Sequence, residues 1–411
     1  MDRIILHSDL NNFFASVECA ENPEYRDKFI AVCGKEDDRH GIVLAKNQRA
    51  KLCGVKTGDT IREAKLKCPE LLCVLPHFEK YSELSKRVRK IYCDYTDEVE
   101  AFGMDECWLD VTRSTLLFGS GRTIAEEIRE RVKRETGLTV SVGVSFNKVF
   151  AKLGSDMKKP DAVTEIGRGD FREKIWPLPA AALLGVGRSS EKVLSRHGIH
   201  TIGDIAAVPR EYMEKWLGKC GASLHDFASG NDFSRVAPAK YVPVAQSVSR
   251  GVTCRAPLND CDEVSRIVLY LSEHVSTELR RTKCVALGIG VTVKDESLRS
   301  VDFTTRLSRP TRSHRLIFEG VMTLFRENYI WRESVRALTV RTFELQSDTE
   351  PIVLDFFTDA VKEEKYERKE ACADSIRSRF GKNSVFPASL IGDIKLPSIL
   401  NKSRLPGSPF R

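Results

Sequence analysis

The sequence predicts a multidomain α+β protein, on three observations. Strand-like and helical runs alternate over the first 166 residues or so. From 170 to about 230 the pattern changes to short helices broken by glycine. Beyond a polar, turn-rich stretch the order becomes strand, helix, strand, strand, helix, strand. At roughly 100–200 residues per domain, 411 residues allow two to four such units.

Each element follows from local pattern. "RIILHSDL" (3–10) is a short apolar run with β-branched residues, hence a buried strand. It leads into "NNFFASVECA" (11–20), a helix with Asn11 or Asn12 as N-cap. "FIAVCG" (29–34) and "GIVLAK" (41–46) are short strands joined by the polar "KEDDRH". Helices follow at 60–69 and 78–96, the second with an apolar stripe. "VEAFGMD" and "CWLDVT" are strand-like pieces flanking Asp105 and Glu106. Residues 114–137 carry a long amphipathic helix, 138–146 alternate as a strand, and "NKVFAKLGSDMKKP" closes the unit. "ASGNDFSRVAPAKYVP" (228–243) has linker composition. The last helix is expected at 365–381, and the proline-, serine- and basic-rich tail after it is expected to carry no structure.

The net charge of +7 is a mild lean toward polyanions, sharpened by "SKRVRK" (85–90) and "DMKKP" (156–160). None of the twelve cysteines forms a C-x-x-C pair with matching histidines, which argues against zinc. Free thiols fit a reducing compartment, and the opening segment lacks secretory-leader form. The uncharged "VALGIGVTV" (285–293) falls far short of a membrane span. The expectation is a cytoplasmic, monomeric protein with no membrane partner.

Three carboxylates draw the chemistry together. Asp9 closes the first strand, and Asp105 and Glu106 sit between apolar neighbours. Buried carboxylates need a basic partner, hydrogen bonds or a metal ion to offset desolvation. Adjacent residues of a strand point to opposite faces, so both acids serve one site only at a turn, which Gly103 permits. An oxygen-only donor set with no histidine or thiolate suits magnesium or manganese, and two such ions support phosphoryl transfer.

"LHSDLNNFFASVE", "EKYSELSKRVRKIYCDYT", "VEAFGMDECWLDVT" and "VSVGVSFNKVFAKLGSDMKKPD" closely resemble the Y-family translesion DNA polymerases, in particular the bacterial polymerase IV branch, in register from residue 4 to about 390. The resemblance implies a right-hand polymerase. Its palm is 1–10 with 77–166, its fingers 11–76, its helical thumb 167–232, its linker 233–243, its βαββαβ little finger 244–345 and its C-terminal tail 346–411. It implies two Mg²⁺ ions (Mn²⁺ as a substitute) held by Asp9, Asp105, Glu106 and the carbonyl of Leu10. Phe14 matches the steric gate against the 2′-hydroxyl, and Lys159 the lysine that reaches the triphosphate. The fingers depart from the pattern: Gln48 stands at a tyrosine position and Lys51 at an arginine position, losing the bidentate fork.

Substrates implied by the resemblance are primer-template DNA and dNTPs. "ALLGVGRSSEKVLSRHGIHTIGDIA" (182–206) fits a helix-hairpin-helix, with Gly185 and Gly187 letting backbone amides face a phosphate. Ser247 and Arg250 in "QSVSRGVTC" are candidates for flanking phosphates. "PIVLDF" (351–356) resembles a sliding-clamp-binding peptide, with Ile352, Leu354 and Phe356 as anchors and Pro351 where relatives have glutamine. Two rivals remain open on sequence: a nucleotide cyclase or nuclease with related metal chemistry, and a non-catalytic DNA-binding protein.

Overall fold

The computed structural model describes residues 2–34, 41–241, 245–349, 360–381 and 384–397. They fall into two compact units, one up to residue 241 and one from residue 245.

In the first unit β1 (Ile5–Leu10) is buried along its whole length, polar His7, Ser8 and Asp9 included. Helix α1 (Phe13–Glu21) follows at once. Its N-cap position is Asn12, in the left-handed region (φ 49°) and without a side-chain cap bond; asparagine is one of the few side chains that tolerates this backbone. Asn11 is used differently. Its amide donates to Ser141 Oγ (2.9 Å) and its carbonyl oxygen accepts from Asp161 N (2.9 Å), tying β1 to later segments.

Strands β2 (Ile30–Cys33), β3 (Val43–Lys46) and β4 (Leu72–Val74) make a small sheet of order β3-β2-β4. Helices α2 (Gln48–Leu52) and α3 (Ile61–Lys67) lie between the last two, the latter opened by a Thr60–Glu63 capping box. Then come α4 (Phe78–Cys93), β5 (Val99–Phe102), β6 (Glu106–Asp110), short α5 (Thr115–Phe118) and α6 (Gly121–Thr136). The long helix is thus shorter than its sequence pattern, because Ser120 caps it only after Gly119. Strand β7 (Val140–Ser145), α7 (Lys148–Met157) and β8 (Val163–Ile166) complete a five-stranded sheet of order β5-β6-β1-β7-β8. Five short helices occupy 171–228: α8 (Phe171–Ile175), α9 (Arg188–Arg196), α10 (Ile202–Ala207), α11 (Arg210–Leu217) and α12 (Lys219–Ala228).

The predicted linker is fastened at its start. Asp232 accepts from Lys148 N, Arg3 donates to Ser234 O (2.6 Å), Val236 is buried, and Ala237 N donates to Glu100 Oε2 (2.9 Å). Residues 232–239 therefore belong to the first unit.

The second unit runs β9 (Ser247–Leu258), α13 (Cys261–Arg281), β10 (Cys284–Asp295), β11 (Ser300–Thr311), α14 (His314–Asn328), β12 (Val335–Ser347) and α15 (Ala360–Phe380). Its antiparallel sheet has order β11-β10-β12-β9, the doubled split βαβ expected. The segment after α15 differs from expectation. Leu390, Ile394 and Leu396 are buried in this unit's core, and Arg255 N donates to Lys395 O (2.9 Å). Three apolar side chains within seven residues outweigh the polar composition around them.

Candidate active site

Asp9 and Glu106 are direct cross-strand partners of antiparallel β1 and β6, so their side chains leave one face side by side. Asp105 lies in the turn between β5 and β6, which Gly103 enters at φ +85°. Leu10 N donates to the carbonyl of Asp105 (3.0 Å), which pins that turn to the end of β1. The break in alternation expected at residues 103–105 is thus present, and it leaves Asp105 near enough to Asp9 and Glu106 to feel both charges.

Helix α7 supplies their counter-charges. It lies close on the sheet because Gly143 and Gly154 face each other: a Cβ on Gly143 would stand 1.9 Å from the carbonyl oxygen of Ala151. Lys152 Nζ binds Glu106, while Lys159, just past the helix, reaches Asp9 (2.5 Å) and Asp156 (2.7 Å). Asp105 has no lysine of its own among these contacts. Burial, reinforced by the Asp9 and Glu106 charges, raises its pKa. Burial also raises Asp9, against the pull of Lys159. For Glu106 burial pushes upward too, but His7 and Lys152 outweigh it and bring the carboxyl down to about 2.

Among the described residues no group of three or more His, Cys, Asp or Glu side chains stands ready to hold a metal ion. The two lysines provide part of the compensation that buried carboxylates require, for Glu106 and Asp9. Three acids against two lysines still leave the pocket short of positive charge, and the oxygen donors suit a hard divalent cation. By donor chemistry the residue set fits such an ion.

Phe14 is half-buried and stacks on Tyr81, ring centroids 4.5 Å apart at 15°. The Tyr81 hydroxyl in turn donates to buried Glu18, which also contacts His77 Nδ1 (2.9 Å). Phe14 thus rests on a platform fixed by a buried acid. Phe13 packs in the core. Gln48 and Lys51 are exposed on α2, and no contact between them and the three acids is present. Arg49 is committed to Asp27 (3.1 Å). Gly185 takes φ +97° and Gly187 is the N-cap position of α9, with no side-chain cap there.

Ser247 and Arg250 do not share a face. They differ by an odd number of residues in a strand paired without a shift at this end, so Arg250 points to the α13 side, where its charge adds to that of Arg281 in holding the Glu278 carboxyl low. The uncovered face instead carries cross-strand rows of Thr304, Gly290, Arg341 and Ser249, and of Arg306, Gly288, Phe343 and Ser247. Ile352, Leu354 and Phe356 lie outside the described residues.

Two residues in direct contact with the acids escaped the sequence reading. His7 is fully buried, two positions before Asp9 and hence on its face of β1. Lys152 lies on α7, seven residues before Lys159, which follows just past the end of that helix. Both spacings were visible in the sequence.

This architecture is that of the Y-family DNA polymerases: a Y-family DNA polymerase chimera superimposes with a TM-score of 0.75 over 84% of this chain and 99% of that one, at 24% identity. The impB/mucB/samB family model matches residues 8–156, and its C-terminal domain model matches 245–355. A DNA polymerase IV of Acetivibrio thermocellus is 48% identical over 393 residues, covering 96% of this chain and 98% of that protein. A DNA polymerase IV of Pelotomaculum thermopropionicum is 36% identical over 384 residues, covering 93% and 94%. The chain belongs to this family, in its DNA polymerase IV branch, and is a DNA-directed DNA polymerase. Among the described residues no helix is long and apolar enough to cross a membrane.

Proposed function

We propose that this polymerase is a translesion enzyme of low fidelity, extending primers from dNTPs across damaged template in DNA damage tolerance and repair. The observation that carries the reading is the pairing of Asp9 with Glu106 in register, with Asp105 at the adjoining turn.

Asp9, Asp105, Glu106 and the Leu10 carbonyl would hold two Mg²⁺ ions, or Mn²⁺ in their place; such ions, when bound, stabilise the charge on attacking and leaving oxygens. The chain's own residues do the rest. Lys159 is within a side-chain swing of the acids and offers its ammonium to the triphosphate. The Phe14 ring, held flat on Tyr81, closes the space a 2′-hydroxyl would need. Gln48 and Lys51, exposed on α2, are assigned to the triphosphate by position in the family.

Residues 1–10 with 77–166 act as palm, 11–76 as fingers, 167–232 as thumb and 244–345 as little finger. Amides at Gly185 and Gly187, and the sheet face carrying Ser247, Ser249, Arg341 and Arg306, contact DNA phosphates. Such contacts ignore base sequence. Arg250, on the other face of β9, is left to a flanking phosphate at the sheet edge. Ile352, Leu354 and Phe356 are assigned to a sliding clamp on sequence alone, and tethering there would raise effective concentration at the primer end.

The test is extension of a primer over one abasic site, with and without Mg²⁺, by the wild type and by Asp105→Ala combined with Glu106→Ala. Loss of bypass in the double variant, with DNA binding retained, is expected. Full-length product from it would remove the acids from catalysis.

A further inference from the structure

We propose that His7 is a positioning residue for Glu106, setting the direction of that carboxylate toward Asp9 and Asp105. The inference rests on the divalent-metal reading above.

The imidazole is completely buried on β1, between Trp108 (ring centroids 5.2 Å) and α7. Its Nδ1 lies 2.8 Å from Ser155 Oγ, and its Nε2 lies 3.2 Å from Glu106 Oε2. That Nε2 has no aligned hydrogen-bond partner. A buried polar atom left this way costs about 1–3 kcal/mol, so something normally satisfies it. Glu106 Oε2, which faces it, is also the oxygen that Lys152 Nζ binds. The imidazole and the ammonium therefore compete for one oxygen, and the direction of the carboxylate depends on both.

Ser155 decides which ring nitrogen carries the hydrogen. With the Ser155 hydroxyl donating to Nδ1, the hydrogen sits on Nε2 and faces Glu106. The same hydroxyl stands 2.7 Å from the Lys152 carbonyl, so it has two places to donate. Ser155, His7 and Glu106 form a line like the outer-shell partners that orient metal ligands, whose loss typically costs about 10–100-fold in metal affinity.

The experiment titrates Mn²⁺, read by electron paramagnetic resonance, into the full chain bound to a dideoxy-terminated primer-template and its matching dNTP. His7→Gln keeps a donor near the Nε2 position; His7→Asn keeps one only near Nδ1. Circular dichroism checks that each variant folds. Mn²⁺ affinity is expected to fall about tenfold or more in His7→Asn and to stay within a few-fold of wild type in His7→Gln. Equal affinities in the two folded variants would overturn the proposal. If both unfold, Ser155→Ala, which keeps the ring, is expected to weaken Mn²⁺ by several-fold, and wild-type affinity there would overturn it instead. Wild-type primer extension is measured alongside: its absence would defeat the underlying reading, whereas its presence with indifferent His7 variants would defeat this inference alone.

Discussion

The Lys159 ammonium stands 2.5 Å from Asp9 Oδ2, joining residues 150 positions apart in the sequence. Burial alone would lower the Lys159 pKa, but Asp9 and Asp156 outweigh it and raise it. The lysine is therefore charged at neutral pH, beside the acids, on a chain that leaves α7 just before it. In the proposed role Lys159→Ala would remove a charge-assisted contact to the triphosphate, each such contact being worth about 1.5–3 kcal/mol. The KM for dNTP should rise roughly ten- to a hundredfold, with Lys159→Arg recovering part of it. Steady-state extension at saturating DNA measures this. An unchanged KM would leave Lys159 as a counter-ion of Asp9 and nothing more.

Phe14 owes its pose to Tyr81, and Tyr81 to buried Glu18. Removing the ring opens space without disturbing either support. Phe14→Ala should raise incorporation of ribonucleotides relative to deoxyribonucleotides by on the order of 10²-fold, as a site loses steric exclusion of one hydroxyl. The ratio of kcat/KM for matched rNTP and dNTP gives the answer. Unaltered sugar discrimination would take the gate away from this residue.

The acids, the sheet that presents them and the βαββαβ unit were legible because each depends on local pattern: the short apolar run at 3–10, the alternation at 138–146, and the glycine before Asp105. The resemblance added roles for Phe14 and Lys159 that pattern alone does not carry. Partners of the acids were harder to see. That Lys152 meets Glu106 and Lys159 meets Asp9 depends on how far α7 slides along the sheet, and Gly143 and Gly154 set this at close range. Strand parity at Ser247 and Arg250 was readable and separates them. The burial of Leu390, Ile394 and Leu396 was not, since the core that receives them is built from residues 248–340.

Gly143 is where that slide is fixed. An added methyl would strike the Ala151 carbonyl at 1.9 Å and Ser155 N at 2.5 Å, both backbone, so α7 must move. Gly143→Ala should destabilise the first unit by about 1–3 kcal/mol or more. It should also cut primer extension beyond what lost folded protein explains, because Lys152, Ser155 and Lys159 travel with the helix. Activity per folded molecule, with folding followed by circular dichroism, separates the two effects. Full specific activity in a folded variant would show that the site does not need α7 at this spacing.

Glu370, on α15, is the buried acid that binds the C-terminal helix to its unit. Its carboxylate accepts from Arg280 (2.5 Å) and from Ser313 Oγ (2.8 Å), and His314 Nδ1 lies 2.8 Å away. Burial pushes its pKa up, but His314, Ser313 and Arg280 outweigh it and hold the group down to about 2, against an ordinary 4.5. A folded value below the unfolded one gives stability that is complete above about pH 4.5 and lost as pH falls toward 2. The shift corresponds to about 3 kcal/mol, within the range for breaking a buried charge pair. Glu370→Gln should therefore loosen α15 by about that amount at neutral pH, and the gap from wild type should narrow as the pH falls below about 4.5. Hydrogen exchange of α15 peptides in the full chain, from neutral pH down to about pH 3, follows both. A gap that stays constant across this range would mean that Glu370 stabilises by packing and not by charge.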